Sequence, residues 1–146
     1  MSEHRPRSAV VTRLLPAPPE VVYDEWLDVD ALAEFLCPYP AVADTVECDP
    51  RVGGRLRIDM VNGEDVTHVT GEYLELDRPN RLRFTWNSER TGDLGSVVTV
   101  TLEAHEEQQT LMTIEHARLG ADQREDHERG WTRIAAQLER KLQARV

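Results

Sequence analysis

Residues 122–146, DQREDHERGWTRIAAQLERKLQARV, constrain the fold more than any other stretch of this chain. The apolar residues Trp131, Ile134, Ala135, Leu138 and Leu142 fall at offsets 0, 3, 4, 7 and 11. That is the period of an amphipathic helix with one apolar stripe. Asp122 followed by Glu125 reads as an N-cap with an acidic residue three positions on. Arg140, Lys141 and Arg145 lie near the C-terminal end, where the helix dipole favours cations. About 22 residues at ~1.5 Å each make a rod of about 33 Å. Nothing else in the sequence reads as a helix of that size, and most of what precedes it reads as sheet. The helix is the element available to close that sheet's apolar face.

The preceding elements follow from alternation and turn residues. Residues 8–15 (SAVVTRLL) are β-branched and end at Pro16, as a strand would. Pro18 and Pro19 suit the start of a short helix carrying Val22 and Trp26 on one face. A second short helix over 30–36, with Asp30 as its cap and Leu32, Phe35 and Leu36 as its apolar side, stops at Pro38 and Pro40. Strands follow over 42–48 and 55–61, the latter with Leu56, Ile58 and Met60 in phase, divided by the turn signals Asp49, Pro50, Gly53 and Gly54. Asn62-Gly63 is a hairpin dipeptide. Residues 66–76 lose phase between Val69 and Leu74, which a bulge near Gly71 would reconcile. Residues 81–86 align Leu82, Phe84 and Trp86, 96–104 align Val98, Val100 and Leu102, and 110–117 align Met112, Ile114 and His116. Residues 87–95 form a polar loop, and 106–109 a hairpin turn. The expected order is strand, two short helices, about six antiparallel strands and a long helix, in an α+β domain solvated on one face of its sheet.

At 146 residues the chain suits one domain, 8–146, behind a loose N-terminus, 1–7. A net charge of −10 counts against non-specific binding to nucleic acid. No apolar run approaches ~20 residues, so no membrane span is expected. The first residues lack the apolar core of a signal peptide, so the expected compartment is cytoplasmic. Cys37 and Cys48 have no metal-ligand spacing and read as free thiols. No metal site or cofactor is expected, since there is no H-x-x-x-H, H-E-x-x-H or glycine-rich phosphate loop opening a helix.

Several stretches together resemble the activator of heat-shock-protein-90 ATPase homologue family, within the START-like superfamily of polyketide cyclases and lipid-transport proteins. They are TRLLPAPPEVVYDEWLD, DPRVGGRLRIDM, GEYLELDRPNRLRFTW, VTVTLE and HERGW with the leucines after it. The resemblance implies a helix-grip fold: a curved antiparallel sheet of about six to seven strands wrapped around the C-terminal helix, with a cavity between them. It also implies a wide range of roles, because fold does not fix function. Many members have tryptophans before the proline that ends the second helix. Here that segment is Phe35-Leu36-Cys37-Pro38, and the smaller side chain could widen the cavity mouth.

Three functions are consistent with these features. The leading one is binding of a small apolar molecule, without catalysis, in the cavity between sheet and helix. Its expected wall includes Trp26, Phe35, Met60, Tyr73, Phe84 and Trp86, together with Val100, Met112 and Trp131. The second is an enzyme of the cyclase or hydrolase type. Its acid–base groups would be His116, His127 or His68, which also count as ligand contacts. Each of these histidines reads more simply as a hydrogen-bonded or partly exposed side chain without a catalytic task. Cys37 would be a nucleophile only beside a base. The third function, implied by the resemblance, is a chaperone partner that stimulates an ATPase. Exposed sheet edges could also support a homodimer. Gly130 beside Trp131 suggests a close approach of a strand or helix, in which case Gly130→Ala would lower the melting temperature. The long helix is expected to act as core at its Leu138–Leu142 end and as cavity wall around His127, Gly130 and Trp131.

Overall fold

The computed structural model describes residues 8–91, 95–120 and 122–144; the expected loose N-terminus, part of the loop over 87–95 and Arg145 lie outside the described residues. The chain runs through β1 (Ala9–Leu15), α1 (Pro19–Glu25), α2 (Val29–Phe35), β2 (Val42–Cys48), β3 (Arg55–Asn62), β4 (Asp65–Asp77), β5 (Arg81–Trp86), β6 (Ser96–His105), β7 (Gln109–Ala117) and α3 (Arg124–Gln143). Every strand pair is antiparallel, and the sheet order is β1-β7-β6-β5-β4-β3-β2. The sheet curls into a half-barrel with α3 on its inner side. Strands β2 to β7 follow one another as neighbours. Only β1 is placed by a long-range pairing, onto β7.

Period-2 alternation decides which side chains enter the core. Leu82, Phe84 and Trp86 of β5, Val98, Val100 and Leu102 of β6, and Met112 and Ile114 of β7 are buried, while their neighbours in sequence are more exposed. α3 buries the residues its sequence period picks out: Trp131, Ile134, Ala135, Leu138 and Leu142.

Local details shift several expected boundaries. Asp28, not Asp30, caps α2: its carboxylate accepts from the backbone N–H of Asp30 at 2.9 Å and Ala31 at 3.4 Å. Asp28 keeps an extended backbone, so the helix begins at Val29. α3 starts at Arg124, and Gln123 before it is already helical in backbone angle and gives no side-chain cap. Asp122 is therefore not the cap its spacing suggests. Asn62 still pairs with Asp65, so the β3–β4 loop is Gly63 and Glu64.

Two glycines mark close backbone approaches. A side chain on Gly54 would place its Cβ 2.1 Å from the Asp49 carbonyl oxygen. The Gly53 N–H donates to the Tyr73 carbonyl at 2.8 Å, and the Tyr73 N–H to the Gly54 carbonyl at 3.0 Å, pinning this turn to β4. At Gly71 a Cβ would lie 2.0 Å from the Thr85 carbonyl oxygen. The irregularity expected there falls instead between Tyr73 and Glu75, where β4 shifts register against β5. Gly71 is thus a site of close contact, not of the bulge.

Polar contacts hold α3 at its C-terminal end. Arg13 Nε of β1 donates to Glu139 at 2.6 Å. Lys141 Nζ reaches Glu25 of α1 at 2.8 Å and Glu34 of α2 at 3.3 Å. Among the described residues, no helix is long and apolar enough to cross a membrane.

Candidate functional site

A buried polar chain lies under the middle of α3. His116, on the inner face of β7, is fully buried. Trp131 Nε1 is 2.9 Å from His116 Nδ1, and His116 Nε2 is 2.8 Å from Ser96 Oγ. The Ser96 hydroxyl in turn donates to the Trp86 carbonyl. An indole N–H can only donate, so Nδ1 must accept and the imidazole proton must sit on Nε2. The run of donors is therefore Trp131, His116, Ser96, each passing one hydrogen bond to the next, with the Trp86 carbonyl as final acceptor. Burial, and secondarily the nearby His127, push the His116 pKa down to about 3. His116 is neutral at ordinary pH and positions the Trp131 ring, whose centroid lies 5.1 Å from that of Trp86.

Beside this pair a groove of ≈ 520 Å³ opens between the free end of the β3–β4 hairpin and the N-terminal half of α3. Its floor is apolar: Met60, Val69, Trp86, Trp131 and Ile134. One wall is the 38–41 segment after α2. Gln137 of α3 fixes that wall through both ends of its carboxamide. Its Nε2 donates to the carbonyls of Phe35 and Cys37, each at 2.9 Å, and its Oε1 accepts from the Tyr39 N–H at 2.8 Å. The rim carries Arg90, Arg129, Arg133, Asp65, Asp126 and His127. The volume lies within the usual range for small-molecule sites. A larger concavity of ≈ 900 Å³ follows the solvent side of α3, lined mainly by charged side chains such as Arg124, Glu128, Arg133 and Arg140 and by no buried apolar residue.

The groove takes Met60, Trp86, His127 and Trp131 from the residues expected to contact a ligand. Trp26, Phe35, Tyr73, Phe84, Val100 and Met112 are instead packed in the core. The Trp26 and Phe35 rings meet edge to face at 5.1 Å. Alternation gives the inward side for Tyr73, Phe84, Val100 and Met112, and helical phase the buried side for Trp26 and Phe35, but that part of the interior is closed by packing. His68 lies on the opposite face from Val69 and is exposed, its Nδ1 2.7 Å from Glu89. The hydrogen bond to Glu89 raises the His68 pKa, and the same bond draws Glu89 down to about 2. His127 uses Nδ1 to donate to the Gln123 carbonyl at 2.9 Å.

Other expectations change too. Gly130 lines the groove, and a Cβ there would meet only Pro38 Cγ at 3.9 Å, an ordinary contact. The close approach expected at this glycine is therefore absent, and Gly130→Ala is not expected to destabilise. Cys37 is buried, which pushes its thiol up to about 11. It is protonated at neutral pH and a poor nucleophile. Cys48 is also a free thiol, its Sγ 3.1 Å from the Tyr73 hydroxyl. Among the described residues, no group of three or more His, Cys, Asp or Glu could hold a metal ion. Sequence reasoning missed Val69, Ile134, the rim arginines and Gln137. Val69 and Ile134 were in apolar phase; nothing local marks Gln137.

A curled antiparallel sheet gripping a long C-terminal helix, with two short helices after the first strand, defines a START-like helix-grip domain. The model of the family described as activator of Hsp90 ATPase homolog 1-like protein matches residues 16–143, and the chain belongs to that family. The structure is similar to that of protein CV1439 from Chromobacterium violaceum, with 30% identity, TM-score 0.83, and coverage of 92% of this chain and 96% of that one. It is also similar to MLL2253 from Mesorhizobium loti, with 26% identity, TM-score 0.76, and coverage of 95% and 98%. PFC0360w, an HSP90 activator from Plasmodium falciparum, shares the fold at 24% identity and TM-score 0.67, with coverage of 86% and 87%. No curated protein sequence matches the chain.

Proposed function

We propose that this domain binds a small, largely apolar molecule in the groove between the β3–β4 hairpin and the N-terminal half of α3, without transforming it. The observation that carries this reading is the apolar floor of Met60, Val69, Trp86, Trp131 and Ile134 beneath a polar rim. Burial of such a ligand's apolar surface would drive binding. The chemistry of the surrounding groups favours binding over turnover. His116 is locked neutral by its two partners, His68 lies on the other face of the sheet, and Cys37 keeps its proton. An acid–base role would fall to His127.

Thermal shift with a panel of apolar and aromatic molecules tests the proposal. A ligand at about 100 times its dissociation constant adds about 2.7 kcal/mol of stability. Gly130→Leu puts a side chain into the groove and should abolish the shift while the variant stays folded by circular dichroism. An unchanged shift in Gly130→Leu would place binding elsewhere.

A second reading is favoured by the family description and by the shared fold of PFC0360w. On that reading the domain docks on a chaperone ATPase and raises its turnover. Adding the purified protein to an Hsp90 ATPase assay tests it, and stimulation that persists in Gly130→Leu would separate this role from the groove.

A further inference from the structure

The rim of the groove reverses the charge of the molecule around it. The chain carries a net charge of −10, yet the rim holds Arg90, Arg129 and Arg133 against Asp65 and Asp126. Arg129 and Asp126 neutralise each other as an i, i+3 ion pair on α3. Arg90 and Arg133 form no ion pair among the described residues, while only Asp65 remains on the acidic side. The two arginines stand on opposite walls. Arg133 projects from α3, one turn after Gly130. Arg90 follows β5, and its Nε donates to Thr67 Oγ1 of β4 at 3.3 Å, which orients the guanidinium beside the sheet.

We infer that the ligand carries an anionic group, a carboxylate or sulfonate on an otherwise apolar body, and that Arg90 and Arg133 hold that group at the rim. This inference rests on the groove being a ligand site. A guanidinium presents a planar fork of donors that matches a carboxylate or sulfonate. An uncharged ligand would leave these donors unused, and a cation would meet two positive charges that have no ion-pair partner among the described residues. The acidic remainder of the surface repels anions, so a local excess of arginine over an apolar floor selects an amphiphile whose apolar body enters first. Both arginines are exposed, so their contribution is modest and screened by salt.

Two fluorescent probes with one apolar frame test the charge alone: 8-anilino-1-naphthalenesulfonate and its uncharged parent N-phenyl-1-naphthylamine. The sulfonate should bind about tenfold more tightly at low ionic strength. The Arg90→Gln/Arg133→Gln double variant should erase that advantage, lowering the affinity of the sulfonate about tenfold relative to that of the neutral probe. Salt at roughly 0.5 M should shrink the advantage in the wild type. Equal affinities for the two probes, or an advantage that survives in the double variant, would overturn the anion assignment. The groove reading would still stand if Gly130→Leu expelled both probes. If neither probe bound, or if Gly130→Leu bound both as the wild type does, the groove reading would fall and the anion assignment with it.

Discussion

At His116 a single protonation state is written into the packing. Trp131 offers Nδ1 a donor and Ser96 offers Nε2 an oxygen whose own proton is committed to Trp86. A second proton on the ring would sit on Nδ1 and face the indole N–H of Trp131. Its pKa is about 3 in the folded state and near the ordinary histidine value when unfolded, so the unfolded chain takes up the proton first. The stabilisation from the neutral ring is thus complete above about pH 6.5 and is lost progressively as the pH falls toward 3. Urea melts should show roughly 2–3 kcal/mol lost to this group between pH 7 and pH 4.5. His116→Gln should be less stable at pH 7 and should lack that part of the acid slope; parallel slopes in the two proteins would refute the neutral, buried ring. Gly130 supports a prediction of opposite sign. Its backbone is helical and a methyl group has room, so Gly130→Ala should gain about 1 kcal/mol, or about 3 °C in melting temperature. It would narrow the groove slightly, so weaker ligand binding should accompany the gain.

The elements themselves were largely legible in the sequence, and the reason is local. Trp131, Ile134, Ala135, Leu138 and Leu142 declare α3 by their period, and Leu82, Phe84 and Trp86 declare β5 by theirs. Caps and turns were less secure because neighbours compete: Asp28 and Asp30 are both good caps, and only the extended backbone at Asp28 decides between them. The site was less legible still. Met60 and Phe84 are both inward-facing apolar residues, yet one lines the groove and the other is sealed in the core. What separates them is where α3 lies across the sheet, set by contacts more than 100 residues apart, such as Arg13 with Glu139 (126 residues) and Gln137 with Phe35 (102 residues). Gln137 shows the consequence for an element pair. Its carboxamide makes three hydrogen bonds to the backbone of 35–39 and so joins α3 to the groove wall. Gln137→Ala should cost about 2 kcal/mol by leaving part-buried backbone groups unpaired. It should also weaken ligand binding, whereas Gln137→Glu should restore only the bond from Tyr39. A calorimetric melt paired with a binding titration would check both effects; loss of stability with unchanged affinity would show that the wall does not depend on this clamp.

Across the whole molecule the two ends of α3 are held in different ways. The C-terminal half is fixed by Leu138 and Leu142 in the core, by Arg13, and by Lys141 bridging to α1 and α2. The N-terminal half has no side-chain cap, and its residues from Asp126 to Ile134 border an open groove. Trp131 and Ile134 are buried, but residues 124–130 before them are not, and an open flank with little buried surface is the condition for low local stability. In native-state hydrogen exchange, amides over 127–133 should therefore exchange faster than those over 135–142 in the free protein. In the 38–41 segment, where Pro38 and Pro40 carry no amide, Tyr39 and Ala41 should resemble the faster group despite the Gln137 clamp. A groove ligand would supply the missing contacts, so its addition should slow 127–133 and 38–41 selectively and leave the C-terminal half of α3 unchanged. Uniform slowing along the whole helix would instead indicate global stabilisation by mass action, and the independence of the two halves would then be lost. Selective slowing would identify the open end of a helix-grip domain as the part of the fold that ligand binding completes.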